Sequence, residues 1–261
     1  MSRRQFDIVE VLVIVAFVAY AVGLIVYFAP ARKTEVRVTT NVSPSTEGQR
    51  LAATYGPDKY SMGPEEWIIR ELLNDQRAGV FLDVGSSDAR ELSNTYYLES
   101  VLGWSGVAVD AQSDYAADYA RYRPRTRFRS FLVSDRSDEV LPFYVTQEKG
   151  HSTANRDWAS EKVATISVSS ITLDDLLARE KISHIDLMSM DIEGYEPQAL
   201  AGFDIERFRP RVVVVEAHPV IRQRLLDYFT AHGYVLQARY LGVDDFNYYF
   251  MPRATPRESR E

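Results

Sequence analysis

Short apolar runs alternate with amphipathic stretches along most of the chain, and this alternation predicts strands that are followed by helices. The apolar runs that predict strands are 80–85, 106–110, 128–133, 185–190, 211–216, 234–240 and 246–251. Two further β segments, 140–145 and 163–169, interrupt the alternation. Helices are predicted to follow Pro64, Thr172 and Glu196 and to cover 92–102, 115–122 and 220–231. Strands that alternate with helices predict an α/β domain with a doubly wound parallel sheet, and we assign it to residues 61–253.

The connection between the last two predicted strands is short, because it covers only residues 241–245. A parallel pair needs a crossover of a dozen or more residues, whereas an antiparallel pair needs only a turn. The sheet is therefore predicted to be mostly parallel and to end in one antiparallel strand.

One apolar run near the N-terminus is long enough to span a membrane. Residues 8–28 read IVEVLVIVAFVAYAVGLIVYF and contain a single charged side chain, Glu10. About 20 helical residues span roughly 30 Å, the thickness of the hydrocarbon core. A cleaved signal peptide is the alternative, but its apolar region is usually only about 7–15 residues long. We predict a single-pass transmembrane helix over 8–28, preceded by a short flank, 1–7.

Charge and composition describe the segments around this helix. Two arginines lie within 1–7 and three basic residues within 29–37, and this slight excess predicts a cytoplasmic location for the remainder of the chain. Residues 29–60 are rich in Thr, Ser, Pro and Gly and are predicted to form a tether. The polar, charged residues 254–261 are predicted to be a disordered tail.

The overall composition limits the possible partners and chemistry. With 30 Lys and Arg against 37 Asp and Glu, the net charge is −7, which disfavours nucleic acid as a partner because phosphate binding needs a basic face. The locally basic stretch 121–129 is predicted to be a solvated loop around a strand. The absence of cysteine excludes disulfides, thiolate catalysis and cysteine-ligated metals.

Acidic residues stand at the carboxyl ends of five predicted strands or just after them, which is where ligands bind in such sheets. The candidate set is Asp83 with Gly85 and Ser86, Asp110, Asp135, Asp191 with Glu193, and Glu216 with His218. A cofactor that combines adenosine with a cationic sulfonium would use this set. Gly85 would allow close approach of the backbone, Asp110 would bind the ribose hydroxyls, and Asp135 would accept from the adenine amino group. Turn formation and helix capping are simpler alternatives for each single residue, but the joint placement favours a binding site.

The segment 185–196, IDLMSMDIEGYE, resembles the D-x-x-x-x-D-x-E-G-x-E motif of the FkbM family of methyltransferases, and 172–175, TLDD, resembles the start of a helix in that family. The resemblance covers 64–252. It implies the Rossmann-like class I methyltransferase fold, S-adenosyl-L-methionine as cofactor and, usually, O-methylation of a sugar, a polyketide or a related small molecule. It also implies that Asp83 and Gly85 bind the cofactor, and that Asp191 and Glu193 lie at the rim of the active site.

An acceptor hydroxyl must lose a proton during methyl transfer, and two side chains are candidates for the base. His218 is one, because imidazole has the unperturbed pKa nearest neutrality, and Asp191 is the other. Glu193 could hydrogen-bond substrate hydroxyls. Asp191 and Glu216 could instead hold a divalent metal ion that acidifies the hydroxyl, although strand-end acids also serve simply to orient a ligand.

A different class of function remains open at this point. The family's first loop commonly has a second glycine, where this chain has Ala89. With the predicted anchor, this departure is compatible with a membrane-tethered binding or trafficking protein that keeps the fold without turnover. Binding of S-adenosylmethionine distinguishes the two hypotheses. For an enzyme, tethering would raise the local concentration of a lipid-linked or membrane-associated hydroxyl acceptor.

Overall fold

The computed structural model describes residues 46–146, 150–159 and 163–254. The predicted transmembrane run 8–28 and the first part of the predicted tether, 29–45, lie outside these residues, as does most of the predicted tail, 255–261. Within the three described ranges, no helix combines the length and the apolar character needed to cross a bilayer.

The described residues contain two sheets. The strands are β1 (Val80–Val84), β2 (Ser105–Asp110), β3 (Thr126–Ser130), β4 (Leu132–Val133), β5 (Val140–Val145), β6 (Ala164–Ile171), β7 (Leu187–Met190), β8 (Val212–Glu216), β9 (Tyr234–Leu236) and β10 (Asn247–Pro252). The main sheet has the order β3-β2-β1-β7-β8-β10-β9, and the smaller one has the order β4-β6-β5. In the main sheet β10 runs antiparallel to β8 and β9, and the other pairs are parallel. The predicted α/β fold and its antiparallel final strand are confirmed.

Helices flank the main sheet and connect its strands. They are α1 (Thr46–Tyr55), α2 (Glu65–Leu73), α3 (Tyr96–Ser100), α4 (Ala116–Tyr122), α5 (Leu173–Arg179), α6 (Glu196–Ala201), α7 (Ile205–Phe208) and α8 (Arg222–Ala231), with 3-10 turns at Ser113–Tyr115 and Ala238–Tyr240. The predicted cap before α5 is confirmed, because the Thr172 hydroxyl accepts a hydrogen bond from the Asp175 amide at 3.1 Å.

Three element boundaries differ from the sequence prediction. The helix expected over 92–102 is limited to α3, because Leu92 adopts a left-handed φ of 60° and the Ser93 hydroxyl accepts from the amides of Thr95 and Tyr96 where the helix begins. The strand expected over 128–133 is two strands, β3 in the main sheet and β4 in the small one. The strand expected over 234–240 ends at Leu236 and continues into a 3-10 turn.

The residues just before the domain are more ordered than a tether. Within 46–60, which the sequence assigns to the tether, residues 46–55 form α1. Leu51 of this helix is fully buried in the core beneath α2, and Arg50 forms ion pairs with Glu47 and with Glu71 of α2. Because a helix with a buried leucine belongs to the packed domain, residues 46–55 are part of the domain and do not form a tether.

The valine run of β8 shows why the main sheet lies at the centre of the domain. Val213 and Val215 pack in the core on one face of the sheet, whereas Val212 and Val214 pack in the core on the other face. All four side chains are at most 1% exposed. Alternate side chains of a strand point to opposite faces, so a continuous apolar run requires cover on both. The carboxyl ends of the strands are consequently the part of this sheet left for a ligand.

Candidate active site

The site lies where the order of the strands reverses direction. From β1 the chain continues to β2 on one side, whereas β7 pairs with β1 on the other side, which opens a crevice beyond their carboxyl ends. Two cavities occupy this crevice: an inner cavity of about 540 Å³ and an outer cleft of about 1430 Å³, and both volumes include open space at the mouth. Four residues line both cavities: Gly85, Ser87, Gly150 and Asp191.

Gly85 occupies the junction of the two cavities. Its φ is 76°, and its amide donates a hydrogen bond to the Val109 carbonyl of β2 at 2.9 Å. A Cβ atom added here would lie 1.8 Å from the carbonyl oxygen of Asp191. Only glycine permits both this backbone conformation and this close approach of two chain segments.

Ala89, which stands where the family usually has its second glycine, does not disturb the same loop. Its φ is negative, and its side chain is 1% exposed, packed beside Tyr119. The left-handed position of the loop is Ser87, with a φ of 46°. The loop therefore does not require glycine at Ala89.

Asp110, at the end of β2, lines the inner cavity and accepts hydrogen bonds from two backbone amides of its wall. Its two carboxylate oxygens accept hydrogen bonds from the amides of Ser87 and Gln112, at 3.0 and 2.8 Å. Burial raises the pKa of Asp110 to about 6, against the opposing effect of the two amides. The carboxylate is therefore mostly ionised at neutral pH, and each oxygen keeps a lone pair for a further donor.

The rest of the inner cavity is mainly apolar. Its lining includes side chains from β4, β5 and the turns beside them: Ala111, Phe131, Leu132, Val133 and Phe143. A flat apolar cavity beside one carboxylate suits the base and the ribose of a nucleoside. The sequence prediction missed these residues because isolated aromatic side chains in β segments look the same as core residues.

Three other predicted cofactor residues differ in their placement. The Asp83 carboxylate is buried, accepts from the Thr95 hydroxyl at 2.6 Å and lines the outer cleft; burial raises its pKa. The Ser86 hydroxyl is buried and has no hydrogen-bond partner among the described residues. Asp135 lies away from both cavities, where hydrogen bonds with Gln198 and Ser134 lower its pKa. The geometry therefore supports Asp83 and Ser86 as site residues and gives no support for a contact between Asp135 and adenine.

Three carboxyl groups meet at the floor of the outer cleft. Asp191, Glu193 and Glu216 each have a carboxylate oxygen within 4.8 Å of the others, and in the described part of the chain this is the one acidic or histidine group close enough to hold a metal ion. An oxygen-only set of this kind suits a hard divalent cation. The structure thus brings together the two residues that the sequence proposed as metal ligands, Asp191 and Glu216, and adds Glu193.

Crowding changes the acidity of this acidic group. Burial, followed by the charge of Asp191, raises the pKa of Glu216 to about 9. Asp191 opens onto the cleft, but protein encloses it on its other sides; this enclosure and the charge of Glu193 raise its pKa well above the usual range. Burial also raises the pKa of Glu193, whereas its interactions with His151 and His218 lower it by a smaller amount. Since like charges this close oppose simultaneous ionisation, the three groups share protons at neutral pH.

The segment 150–159 packs over the turn that carries these acids. His151 Nδ1 lies 3.3 Å from the Glu193 carboxylate, and the Thr153 hydroxyl donates to the Glu193 carbonyl at 2.8 Å. Trp158 lies against Gly194, where an added Cβ would come within 2.5 Å of the indole, and it packs on the ring of His218 with the ring centroids 4.1 Å apart. This segment therefore covers the acidic turn and packs on His218 beside the cleft.

Two buried glutamates of the site were assigned no role in the sequence analysis. Glu196 is fully buried and accepts a hydrogen bond from the Ile192 amide at 2.9 Å, which closes the 191–196 turn; burial raises its pKa to about 7. Glu65 lines the cleft and accepts from the Gly63 amide and from the Asn247 side chain. Glu196 could have been predicted as a site residue, because it is the last acid of the DIEGYE motif. Glu65 could not, because it looked like an ordinary acid in the first turn of a helix.

Comparison with known proteins decides the family. The model of the methyltransferase FkbM domain matches residues 83–236, more than half of the chain. The chain belongs to the FkbM methyltransferase family. A comparison with curated protein sequences found no match.

Solved methyltransferases resemble this FkbM chain at low identity. An O-methyltransferase from Bacillus cereus in complex with SAH is 15% identical, with 83% of this chain and 92% of that chain covered and a TM-score of 0.43. A TehB-like SAM-dependent methyltransferase from Corynebacterium glutamicum is 14% identical, with 80% and 95% covered and a TM-score of 0.43.

The residues of the FkbM site fit S-adenosylmethionine, the cofactor that the family implies. Three features suit such a ligand. They are Gly85, where an added Cβ would collide with the Asp191 carbonyl, the ionised Asp110 beside an apolar cavity, and the buried Ser86 hydroxyl, which has no partner among the described residues. Family and fold together make the chain a member of the S-adenosylmethionine-dependent methyltransferases.

Proposed function

We propose that this FkbM-family chain is an O-methyltransferase that acts on a hydroxyl group of a sugar, lipid-linked or other small-molecule acceptor. The observation that carries the proposal is the junction of the two cavities at Gly85 and Asp191. The inner cavity has the lining that a nucleoside needs, and the outer cleft has acidic groups at its floor. A methyl donor held in the first would therefore face an acceptor held in the second.

The roles of the cofactor residues follow from their positions. Asp110 would bind the ribose hydroxyls, and the apolar wall of the inner cavity would hold the base. Gly85 and the Ser86 hydroxyl would lie along the methionine portion, near the Asp83 carboxylate. When bound, S-adenosylmethionine supplies an electrophilic methyl carbon attached to a positively charged sulfur.

The acidic floor would activate the acceptor. An ionised member of the group formed by Asp191, Glu193 and Glu216 would accept the proton of the acceptor hydroxyl, while a protonated member would donate a hydrogen bond to the acceptor and fix its orientation. Raised pKa values suit this work, because a base is most effective when its pKa is near the working pH. His218, held against Trp158, is the alternative base. Alternatively, a divalent ion bound by the same three acids would acidify the hydroxyl. Methyl transfer to candidate acceptors is therefore measured with and without magnesium.

Binding of the cofactor tests the proposal. The full chain is expected to bind S-adenosylmethionine saturably in calorimetry, and Asp110→Ala to weaken binding by about 100-fold, because two hydrogen bonds to a charged acceptor are lost. Asp118→Ala, which removes an exposed carboxylate of α4 away from both cavities, is the matched control and should bind like the wild type. Thermal unfolding is measured for each variant to verify folding.

Two results bear on the wider proposal. Folded wild-type chain that binds no cofactor at millimolar concentration would contradict the enzyme and leave a tethered binding protein. If the cofactor binds, a screen of sugar and lipid acceptors follows, with the methylated atom identified by mass spectrometry and NMR. Transfer exclusively to nitrogen or carbon would rule out O-methylation.

We further propose that residues 8–28 anchor the chain in a membrane, with the catalytic domain on the cytoplasmic side. The support is the length and the apolar character of this run, together with the basic residues that follow it. The full chain is expected in the membrane fraction after an alkaline wash, and a chain that lacks residues 1–45 is expected in the supernatant. Equal release of both would refute the anchor, and protease protection of the domain in inverted vesicles would refute the orientation.

A further inference from the structure

Three large apolar side chains stand exposed around the mouth of the outer cleft. Met62, Leu92 and Phe246 all line the cleft and are 60%, 49% and 61% exposed. They come from three separate parts of the chain: the segment before α2, the loop before α3 and the turn before β10. A single exposed apolar residue needs no explanation, but a group around one cavity indicates a surface that binds an apolar ligand.

The backbone of Leu92 supports the same interpretation independently. Its φ of 60° is the left-handed conformation, which side chains that carry a branched apolar group rarely adopt. A glycine would adopt it without strain. At this position the backbone is strained and the leucine side chain is exposed to water. Both features are unfavourable, and packing of this side chain in the core does not compensate for them. Strain of this kind is found at ligand sites, where the residue is retained for contact with the ligand.

Phe246 is presented to the cleft by a fixed backbone. Its amide donates to the buried carboxylate of Asp244 at 3.0 Å, and its carbonyl accepts from the Ala217 amide at 2.8 Å. The ring nevertheless remains largely in solvent. An exposed aromatic side chain on an anchored turn loses little conformational freedom when it binds a ligand, which favours binding.

The ionisable side chains of the same cleft are mostly acidic. Its lining includes five carboxyl groups, Glu65, Asp83, Asp191, Glu193 and Glu216, and no lysine or arginine among the described residues. Two histidines, His151 and His218, are its only cationic candidates there. An acceptor with a phosphate, sulfate or carboxylate near the methylated hydroxyl would be repelled by those carboxyl groups that are ionised and would find no basic side chain among the described lining residues.

We propose, on the basis of the O-methyltransferase function, that the acceptor is an amphiphile whose hydroxylated head group carries no negative charge. The head group enters the acidic floor, where carboxyl groups form hydrogen bonds to its hydroxyls. The apolar part leaves the cleft across Met62, Leu92 and Phe246. A soluble polyol is expected to bind weakly because it lacks the apolar part. A lipid phosphate or a uronic acid is expected to bind weakly because it is negatively charged.

Three matched probes test the two parts of this inference. Hexyl-β-D-glucoside is expected to bind the full chain, held in lipid nanodiscs, at least tenfold more tightly than glucose, because its alkyl chain removes apolar surface from water. Hexyl-β-D-glucuronide, which differs by one carboxylate, is expected to bind at least tenfold more weakly than the glucoside. Binding is measured by calorimetry against empty nanodiscs. Equal binding of glucose and the glucoside, or of the glucoside and the glucuronide, would overturn the proposal.

Substitutions at the mouth locate the binding. Leu92→Ser and Phe246→Ser are each expected to weaken the glucoside about tenfold and to leave the affinity for S-adenosylmethionine unchanged, since neither lines the inner cavity. Val140→Ser is the matched control, because Val140 is 68% exposed and lies on β5 outside the cleft. If the control weakens the glucoside as much as the mouth variants do, the alkyl chain binds elsewhere and the proposal fails.

Leu92→Gly separates binding from folding. Because glycine relieves the left-handed strain, the melting temperature is expected to rise by about 2 °C, whereas affinity for the glucoside falls about tenfold. A fall in both would show that Leu92 stabilises the fold and would remove it from the proposed site. Retained cofactor binding with loss of probe discrimination would refute the amphiphile alone, whereas absence of cofactor binding would refute the underlying function.

Discussion

Replacing Arg123 with methionine is expected to lower the free energy of unfolding by about 3–5 kcal/mol, the usual cost of removing one partner from a buried ion pair. Arg123 is 1% exposed, and its guanidinium donates to the Glu99 carboxylate at 2.6 Å, to the Thr95 hydroxyl at 2.9 Å and to the Ala89 carbonyl at 3.0 Å. Methionine fills a similar volume but leaves the Glu99 carboxylate buried, without its counter-ion.

Urea denaturation measures this effect, and two variants control it. Arg121→Met changes an exposed arginine of α4, two residues before Arg123, and should shift the free energy of unfolding by less than about 0.5 kcal/mol. In the double variant Arg123→Met with Glu99→Leu, removal of the uncompensated charge should recover part of the loss. If Arg123→Met proves as mild as Arg121→Met, the ion pair does not hold the domain together.

The same network connects stability to the site. Arg123 fixes the carbonyl of Ala89 and the hydroxyl of Thr95, and that hydroxyl donates to Asp83 at the end of β1. The loop after β1 is therefore held from its far side by a side chain of the segment after α4. Under conditions in which Arg123→Met remains folded, it should also bind S-adenosylmethionine more weakly, because this loop lines both cavities.

Replacing Gly85 with alanine is expected to lower the free energy of unfolding by at least about 2 kcal/mol and to weaken S-adenosylmethionine binding at least tenfold. The φ of 76° strains any residue with a Cβ, and the added atom would lie 1.8 Å from the Asp191 carbonyl oxygen, so the 191–196 turn must move. That turn carries the acids of the cleft floor, so the same displacement would disturb acceptor activation.

Gly233→Ala isolates the clash from the backbone strain. Gly233 has a φ of 75°, and an added Cβ there would have no atom within 4 Å. This control should cost only about 1 kcal/mol and leave cofactor binding unchanged. Calorimetry and urea denaturation of both variants compare the two effects. If the two substitutions behave alike, contact between the loop after β1 and Asp191 is not a requirement of the site.

Several features of the domain were predicted correctly from local pattern. The order of strands and helices and the antiparallel final strand were predicted from periodicity and loop length. These features depend on neighbours in sequence, since the period of the apolar positions and the length of a connection are local properties. Strand-end acids such as Asp110 and Asp191 were found for the same reason: in a parallel sheet the ends of strands are the ligand edge.

Other residues could be understood only from their tertiary neighbours. The basic stretch 121–129 was predicted to be solvated, which is wrong for Arg123. Its ion-pair partner Glu99 lies in α3, and the pair that compensates the buried guanidinium forms only in the folded state. Asp135 follows a strand, as the other acids do, but that strand belongs to the small sheet and directs it to Gln198.

The sequence by itself determined the fold class, the family motif and most of the acids of the candidate site, because each is encoded in the spacing of residues along the chain. Only the tertiary structure decided which acids share protons, which aromatic side chains wall the inner cavity and which apolar side chains surround the cleft. Those properties arise from distances between segments that are far apart in sequence. The pKa of a carboxyl group and the exposure of a leucine therefore depend on which segments surround them in the folded chain.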